Sequence, residues 1–527
     1  MTNAVEEIED AGCILIIGSN TTIAHPIVAA RIFRAKEKGA KIIVVDPRRT
    51  HIAEYADIYL PENSGTDVAV INGLLHIIIK EGWYDKEFVE NRTEGFDELK
   101  KLLEEYTPER VAEITGISPE QLRLAAEMFA KTEASSIIYC MGITQHTVGT
   151  DNVLALANLS MVTGQIGKRA SGVNPLRGQN NVQGSTDMAA MPTALPGYQA
   201  LTDDAVVAKF EKAWGVTLPR KPGLTLMEML AAIEPGKIKA LYVMGENPVV
   251  SDPDCSQVKK ELGALELLIV QDIFLTETAQ LAHVVLPAVT FAEKDGTFVA
   301  TDRRVQRIRK AIEPVGEARA DWQIICELAK AMEGSGFAFP SPKEVFDEIS
   351  SLVPLYAGIS YDRIVENGIQ WPCRTREDKG TGFMHKDTFS KGRGTLTPVH
   401  YRPPAELPDE EYPFILTTGR DGFHYHTGTM TRRSKRLTGQ LNKCYVQINP
   451  ADAKAMQIGN GDMIRVASRR GAIEVEARVT SMVGSKTVFV PFHFSETAAN
   501  VLTNPALDPV VKIPEYKVCA VRLERVK

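Results

Sequence analysis

Apolar runs of strand length, each closed by a polar, glycine-bearing turn, recur along the chain. Cys13-Ile-Leu-Ile-Ile17 is followed by Gly18-Ser-Asn-Thr-Thr22, an expected helix from about Pro26 to Lys38, and a second run, Ile42 to Val45, closed by Asp46-Pro-Arg-Arg49. Uninterrupted apolar strands mark a parallel sheet covered on both faces. This is a β-α-β unit whose polar loops lie at strand C-terminal ends, where open α/β sheets bind ligands. The unit then returns. Leu241 to Met244 leads into Gly245-Glu-Asn247, a helix is expected near Asp254 to Leu262, and Leu267 to Val270 ends at Gln271-Asp272. The match runs in register, Asp46 with Asp272, Thr50 with Thr276, Ala53 with Ala279, Ala56 with Ala282, Leu60 with Leu286 and Pro61 with Pro287. Gly18 with Gly245 and Asn20 with Asn247 are shifted by one further residue. Agreement at ordered positions, several of them polar, marks an internal repeat and implies two nucleotide-bearing cofactors or one very large one.

Around the repeat, Met1 to Gly12 reads as a short acidic helix, and 67–80 and 84–131 as helix-rich. A third strand, Ser135 to Cys140, runs into Met141-Gly-Ile-Thr-Gln-His146, and a helix is expected from Asp151 to Thr163. Residues 311–407, rich in Pro, Gly and charge, read as connection and covering, with Trp322 and Trp371 as packing anchors. From Glu411 the texture changes to close-spaced short strands, Tyr412 to Thr417, Tyr445 to Ile448, Met463 to Ala467, Ala472 to Val479 and Thr487 to Val490. A single helix, capped by Asn449 and started by Pro450, interrupts them, and the pattern suggests a closed β-barrel. The expected fold is therefore α/β, with two doubly wound nucleotide-binding units related by internal repeat and a C-terminal β-barrel. The expected divisions are 1–170, 171–310, 311–407 and 408–527.

Between the two copies lies Ser171 to Tyr198, which holds five Asn or Gln, four Gly, three Pro and a single cation, Arg177. No helical or strand periodicity survives that composition, so a structured loop is expected. Side-chain amides offer donors and acceptors together, and glycines let a flat polar ligand approach the backbone. A guanidinium among them is a planar fork matched to a carboxylate or an oxyanion. A polar surface loop with an incidental arginine is the plainer alternative. Likewise the strand-end loops can present backbone N–H groups to a pyrophosphate, with Asp46 and Asp272 accepting from ribose or a guanine edge, or can merely cap helices.

Composition narrows the chemistry. A net charge of −7 argues against nucleic acid as the main partner. The basic run Asp302 to Lys310 is local, and reads either as a solvated face or as a lining for an anionic group. No apolar run approaches a membrane span, and the acidic start lacks the basic region of a signal peptide, so a cytoplasmic protein without membrane insertion is expected. The seven cysteines stand singly with no C-x-x-C spacing, which leaves no local ligand set for zinc or an iron–sulfur cluster. His424 and His426 form an H-x-H pair, for which cofactor hydrogen bonding is a better reading than a metal site. Neither copy carries G-x-G-x-x-G, which disfavours a nicotinamide dehydrogenase.

Four stretches together carry a resemblance: N-P-L-R-G-Q-N-N-V-Q-G at Asn174 to Gly184, M-G-I-T-Q-H at Met141 to His146, G-R-D-G-F-H-Y-H-T-G-T-M at Gly419 to Met430, and K-I-P-E-Y-K-V-C-A-V at Lys512 to Val521. The chain resembles, over essentially its whole length, the catalytic subunits of molybdenum- or tungsten-dependent formate dehydrogenases of the molybdopterin oxidoreductase superfamily. The resemblance implies one metal held between two pyranopterin (molybdopterin) guanine dinucleotides, and a terminal barrel of double-psi type that binds dinucleotide. It gives Arg177 the role of orienting formate, and places Gly178 and Gln179 beside it. It assigns cofactor contacts to Gly18, Ser19, Asn20, Asp46, Pro47, Arg48, Met141, Gly142 and Gln145 in the first copy. In the second copy it assigns them to Gly245, Glu246, Asn247, Gln271, Asp272 and Thr276. From the barrel come Gly419, Arg420, His424, Tyr425, His426, Thr427, Tyr516 and Lys517.

Members of that family also carry an N-terminal domain with four cysteines around a four-iron four-sulfur cluster, then a selenocysteine or cysteine metal ligand. Neither is present in these residues, and no metal ligand is assigned here. The expectation is a longer native protein, or an enzyme split over two chains, with the cluster confined to the other part. The implied reaction interconverts formate and carbon dioxide and passes electrons to an iron–sulfur or flavin partner subunit. Reduction of nitrate or another oxyanion, and a cofactor-binding but inactive chain, are the alternatives.

Overall fold

In the computed structural model, which describes residues 1–526, the chain forms two compact units. The first comprises Met1–Gly178, Val250–Cys255 and the chain from Phe383 onward; the second comprises Gln179–Val249 and Ser256–Gly382. The chain passes between the units at Gly178, within the central run, and at Gly382, among other points.

In the first unit, five parallel strands lie in the order Ile58–Leu60, Lys41–Val45, Cys13–Ile17, Ser135–Tyr139, Gly172–Pro175. The alternating faces of these apolar strands are both buried. Cys13, Leu15 and Ile17 pack with the helices Asp67–Lys80 and Gly149–Val162, while Ile14 and Ile16 pack with Pro26–Glu37. The last strand corrects the expectation of a loop throughout the central run. Gly172–Pro175 is an edge strand, where the N–H that proline lacks is not needed for the ladder. Asn174 fastens it by donating Nδ2–H to Ser136 Oγ at 2.9 Å. The opening segment is a 3-10 helix, Val5–Asp10. Its acidic side chains are taken up by the body: Glu7 accepts from Asn3 Nδ2 at 2.8 Å, and Asp10 from Arg169 at 2.7 Å.

The closing barrel belongs to the same unit. Its six strands run in the order Phe414–Gly419, Thr487–Pro491, Tyr445–Ile448, Ala472–Val479, Met463–Ala467, Cys519–Arg525. Two pairings are parallel and the rest antiparallel. The sixth strand was hidden in the sequence by Arg522, Glu524 and Arg525, which break up the apolar pattern after the buried Cys519, Ala520 and Val521.

In the second unit the repeat reappears as Val284–Pro287, Leu267–Asp272 and Ala240–Met244, all parallel. The equivalence reaches individual hydrogen bonds. Gly18 N–H donates to Val45 O at 3.0 Å, and Gly245 N–H to Gln271 O at 2.9 Å. Asp46 Oδ1 accepts from Arg48 N–H at 2.9 Å, and Asp272 Oδ1 from Phe274 N–H at 3.3 Å. The remainder of the central run here includes the helix Val182–Asp187, whose last residue is the unit's polar anchor. Buried Asp187 accepts from Gln183 Nε2, Tyr198 Oη and Trp371 Nε1 at 2.7 Å each, and from Tyr356 Oη at 2.5 Å. Trp371 is buried and Trp322 partly so. Among the described residues, no helix is long and apolar enough to cross a membrane.

Candidate functional site

The polar strand ends of the first sheet meet the loops of the barrel. After Cys13–Ile17 the chain turns at Gly18, whose φ is +57°, and after Ser135–Tyr139 it turns through Met141–Thr144. These two turns touch backbone to backbone, Gly142 N–H donating to Gly18 O at 3.0 Å. A Cβ on Gly142 would lie 2.5 Å from that oxygen, so only glycine allows the approach. Ser19 is buried with its Oγ 2.9 Å from Thr21 Oγ1, and Asn20 Oδ1 accepts from Thr22 Oγ1 at 3.3 Å.

The next loop, Asp46-Pro47-Arg48, joins the sheet to the barrel. Arg48 stacks 3.4 Å from the centroid of Phe489 and donates to Gln447 Oε1 at 3.0 Å, while Arg49 N–H donates to Met482 O at 2.8 Å. The Arg48 Nε is buried with no partner. Burial raises the Asp46 carboxyl to about 6, with the Arg48 backbone N–H and the nearby cations of Arg48 and Lys517 opposing.

Arg177 follows the edge strand Gly172–Pro175, and its own carbonyl accepts from His25 Nε2–H at 2.7 Å. That bond leaves His25 Nδ1 as a buried acceptor without a partner. Sequence reading missed His25; standing before Pro26, it carries no motif of its own. From the barrel side Arg420 donates to Gly178 O at 2.8 Å, and Lys517 Nζ to Thr418 O at 2.7 Å. Lys517, only partly exposed, is lowered to about 8 by burial first, then by Arg420 and Arg48, against the opposing pull of Cys140 and Asp46. Arg420 is likewise pushed down by burial.

The barrel loop divides into support and surface. His424 is buried, its Nε2 bonded to Leu441 O at 2.7 Å and its Nδ1 facing Thr431 Oγ1 at 3.3 Å. His426 is held neutral by burial, its proton affinity lowered to about 4, and its carbonyl takes the Nδ1 proton of His493. His493, also missed from sequence, accepts at Nε2 from Asp421 N–H at 2.8 Å. Thr427 Oγ1 lies 3.0 Å from Thr429 Oγ1, Tyr425 is exposed beside Arg420, and Gly419 packs under Phe489. Tyr516 Oη donates to Ser251 O at 3.1 Å.

In the second unit the assigned residues also gather at strand ends, but several side chains are already engaged there. Asn247 Oδ1 accepts from Thr278 Oγ1 at 2.7 Å and its Nδ2 donates to Glu277 at 2.7 Å. Gln271 Nε2 donates to Asp321 Oδ1 at 2.7 Å and its Oε1 accepts from Tyr242 Oη. Thr276 Oγ1 accepts from Ala279 N–H at 3.1 Å. Exposed Gly245 and Glu246 and partly exposed Asp272 form the outer part of that loop set, and Gln179 falls at the start of this unit. Among the described residues, no group of three or more His, Cys, Asp or Glu converges as a metal site, and all seven cysteines are free.

The molybdopterin oxidoreductase family matches residues 1–331, and the molydopterin dinucleotide binding domain matches residues 414–520. The chain belongs to the molybdopterin oxidoreductase family. Its relatives include the F420-dependent formate dehydrogenase subunit alpha of Methanocaldococcus jannaschii, 55% identical over 100% of this chain and 78% of the relative. Formate dehydrogenase H of Escherichia coli is 41% identical over 99% of the chain and 74% of the relative. The assimilatory nitrate reductase catalytic subunit of Bacillus subtilis is 37% identical over 99% and 76%. Among solved structures, acetylene hydratase from Pelobacter acetylenicus shares the fold, with a TM-score of 0.76 at 23% identity over 100% of this chain and 81% of that one.

The residues of this molybdopterin oxidoreductase fit a dinucleotide cofactor. Arg48 and Arg420 both act on Lys517, Asp46 and Asp421 are the carboxylates that act on Arg48, and burial disfavours all three positive charges. An anionic pyrophosphate removes that cost, and the unpartnered Arg48 Nε supplies a further donor. A pH dependence of definite sign results. Without cofactor, the Lys517 ammonium is costly, so it loses its proton near pH 8 and stability rises from there toward the ordinary lysine value. With an anion bound the ammonium is favoured, so its midpoint moves above 8 and retention weakens as pH rises through it. Amine-labelling of Lys517 is expected to titrate near pH 8 in the unloaded protein and to be suppressed in the loaded one; equal labelling in both would remove Lys517 from the cofactor's grip.

Proposed function

We propose that this chain is the catalytic subunit of a formate dehydrogenase, interconverting formate and carbon dioxide at a molybdenum or tungsten centre held by two pterin guanine dinucleotides. Electrons pass to a partner subunit. The observation that carries the reading is Arg177. It is the one cation of an amide-rich run, and it sits in a chain whose relatives at 48–55% identity over its full length are named F420-dependent formate dehydrogenase alpha subunits.

The bound cofactor supplies the two-electron redox chemistry. The chain's own residues bind and orient. Gly18 to Asn20, Asp46 to Arg48, Met141, Gly142, Gln145, Arg420 and Lys517 grip one dinucleotide's polar parts, and Gly245, Glu246 and Asp272 provide the sister loops. The Arg177 guanidinium holds the substrate carboxylate through charge-assisted hydrogen bonds, which fixes the direction of its C–H bond. His25 keeps the Arg177 backbone in place through the 2.7 Å bond to its carbonyl.

A second reading, nitrate reduction, is favoured by the Bacillus subtilis relative at 37% identity. Dye-linked assays of the assembled enzyme separate the two. Formate-dependent reduction of an oxidised viologen is the expected result; nitrate-dependent oxidation of the reduced dye, without formate turnover, would replace formate with the oxyanion.

A further inference from the structure

His493 lies just past the barrel strand Thr487–Pro491, fully buried, and gives both ring nitrogens to the backbone of a single loop. Its Nδ1 faces the carbonyl of His426, which can only accept, so Nδ1 carries the proton. Its Nε2 accepts the Asp421 N–H at 2.8 Å, which requires a lone pair there. One neutral tautomer meets both demands. Burial lowers its pKa to about 4, with His424 and Arg420 adding to the effect and the His426 carbonyl and Asp421 opposing it.

The loop that the ring spans is not relaxed. His426 has φ +49°, a left-handed conformation that is unfavourable for a residue with a Cβ, and the bond from His493 falls on that residue's carbonyl. Gly428, at φ +77°, lies so close to the His493 main chain that a Cβ there would be 2.5 Å from His493 O. At its other end the clamp closes on Arg420. The Asp421 N–H belongs to the peptide plane that follows Arg420, and on the preceding side Phe492 N–H donates to Gly419 O at 3.2 Å. Phe492 and His493 therefore pin the main chain on both sides of Arg420. Asp421 is tied a further way, its Oδ2 accepting from Tyr445 Oη at 2.7 Å. From this fixed main chain the Arg420 side chain reaches Gly178 O at 2.8 Å, the carbonyl of the residue after Arg177.

We propose that His493 is a positioning residue for Arg420: through the Asp421 N–H it fixes the direction in which Arg420 leaves the strand Phe414–Gly419, and so the placing of that guanidinium against Gly178 and the bound dinucleotide. The inference rests on the cofactor contact proposed for Arg420, and not on the identity of the substrate. The bond to Asp421 carries the role, while the bond to His426 holds the strained far end of the loop. Two amide side chains separate these bonds. An Asn amide reaches about as far as Nδ1 and keeps only the His426 bond, whereas a Gln amide reaches about as far as Nε2, where its oxygen accepts from the Asp421 N–H.

The test uses the assembled, cofactor-loaded enzyme and follows the rate at which its pterin dinucleotide is released, by the fluorescence of the oxidised pterin. His493→Asn is expected to release it about tenfold faster than the parent, the effect of leaving one buried N–H unpaired, and His493→Gln within about threefold of the parent. Arg420→Ala should release it at least as fast as His493→Asn. Adding His493→Asn to Arg420→Ala should then contribute less than about threefold, because a residue that acts through Arg420 has nothing left to place. Amide exchange in the His493→Asn enzyme should quicken in the peptide spanning 419–428 while the strand Tyr445–Ile448 keeps its protection. Equal release by the Asn and Gln variants, a full tenfold on top of Arg420→Ala, or exchange quickened throughout the barrel would each overturn the inference and leave Arg420 with the cofactor. Release from Arg420→Ala at the parent rate would take Arg420 out of the cofactor's grip and overturn the inference with it.

Discussion

Replacing Arg177 with alanine in the assembled, cofactor-loaded enzyme is expected to lower kcat/KM for formate by about tenfold to a hundredfold, with metal and pterin content unchanged. The magnitude reflects the loss of hydrogen bonds to a charged partner, about 1.5–3 kcal/mol. Arg177→Lys should recover only part of it, because an ammonium keeps the charge and loses the planar fork. The side chain is a credible target for such a separation of effects, since its backbone is fixed independently by His25 and by the edge strand Gly172–Pro175. Steady-state kinetics alongside metal and pterin analysis make the distinction. Unchanged kinetics would remove Arg177 from the reaction, and a loss that tracks missing cofactor would make it a cofactor residue instead.

The second large effect is expected at Gly142. Its hydrogen at Cα faces Gly18 so closely that an added Cβ would lie 2.5 Å from Gly18 O and 2.6 Å from Gly18 Cα, both backbone atoms with no room to yield. Gly142→Val therefore has to separate the two strand-end turns at Gly18 and Gly142. Overpacking of this kind costs about 1–3 kcal/mol, which corresponds to about a tenfold to hundredfold loss in cofactor retention if the strain is relieved in the unloaded form. Gly245→Ala is the matched comparison. It is the sister unit's counterpart of Gly18, the other glycine of this contact, at φ +64°, but its Cβ would meet nothing within 4 Å, so only the left-handed backbone penalty of about 1 kcal/mol applies. Pterin content of the two purified variants, measured against the parent, checks the contrast; equal losses would mean that the glycine contact at Gly142 does not support the cofactor.

Much of this architecture was legible because it rests on continuous apolar strands, which only a two-sided parallel sheet can bury. Cys13–Ile17 and the helix beginning at Pro26 stand where the pattern puts them, and the repeat found in letters extends to matched hydrogen bonds. The repeat even tolerates chemical replacement. Ile42 N–H donates to the Asp57 carboxylate at 2.9 Å, and in the sister position Leu268 N–H donates to His283 Nδ1 at 2.9 Å. Pairwise letter matching misses such a substitution because the bond, not the residue type, is the feature that persists.

The illegible parts depend on the tertiary setting. Gly and Pro in Gly172–Pro175 read as breakers, yet an edge position makes them admissible. The barrel's sixth strand, Cys519–Arg525, was masked by the P-E-Y-K motif before it and by Arg522, Glu524 and Arg525 within it. The partners of His424 within the barrel, Leu441 O and Thr431 Oγ1, show only in the fold. Asn247 and Gln271 are polar at strand ends, and their partners Thr278, Glu277, Asp321 and Tyr242 show only in the fold. The partial exposure of the second sheet was illegible as well: its strands read as buried, yet Tyr242 and Met244 stand 37% and 50% exposed.

The duplicated nucleotide unit underlies every role assigned to these residues, and the cofactor stoichiometry of the assembled enzyme tests it most directly. Acid hydrolysis of the purified, metal-replete enzyme releases the nucleotide of each pterin cofactor for quantification per polypeptide. Two equivalents of guanosine monophosphate are expected for each copy of this chain. One equivalent, or a nucleotide with a different base, would contradict the two-site reading.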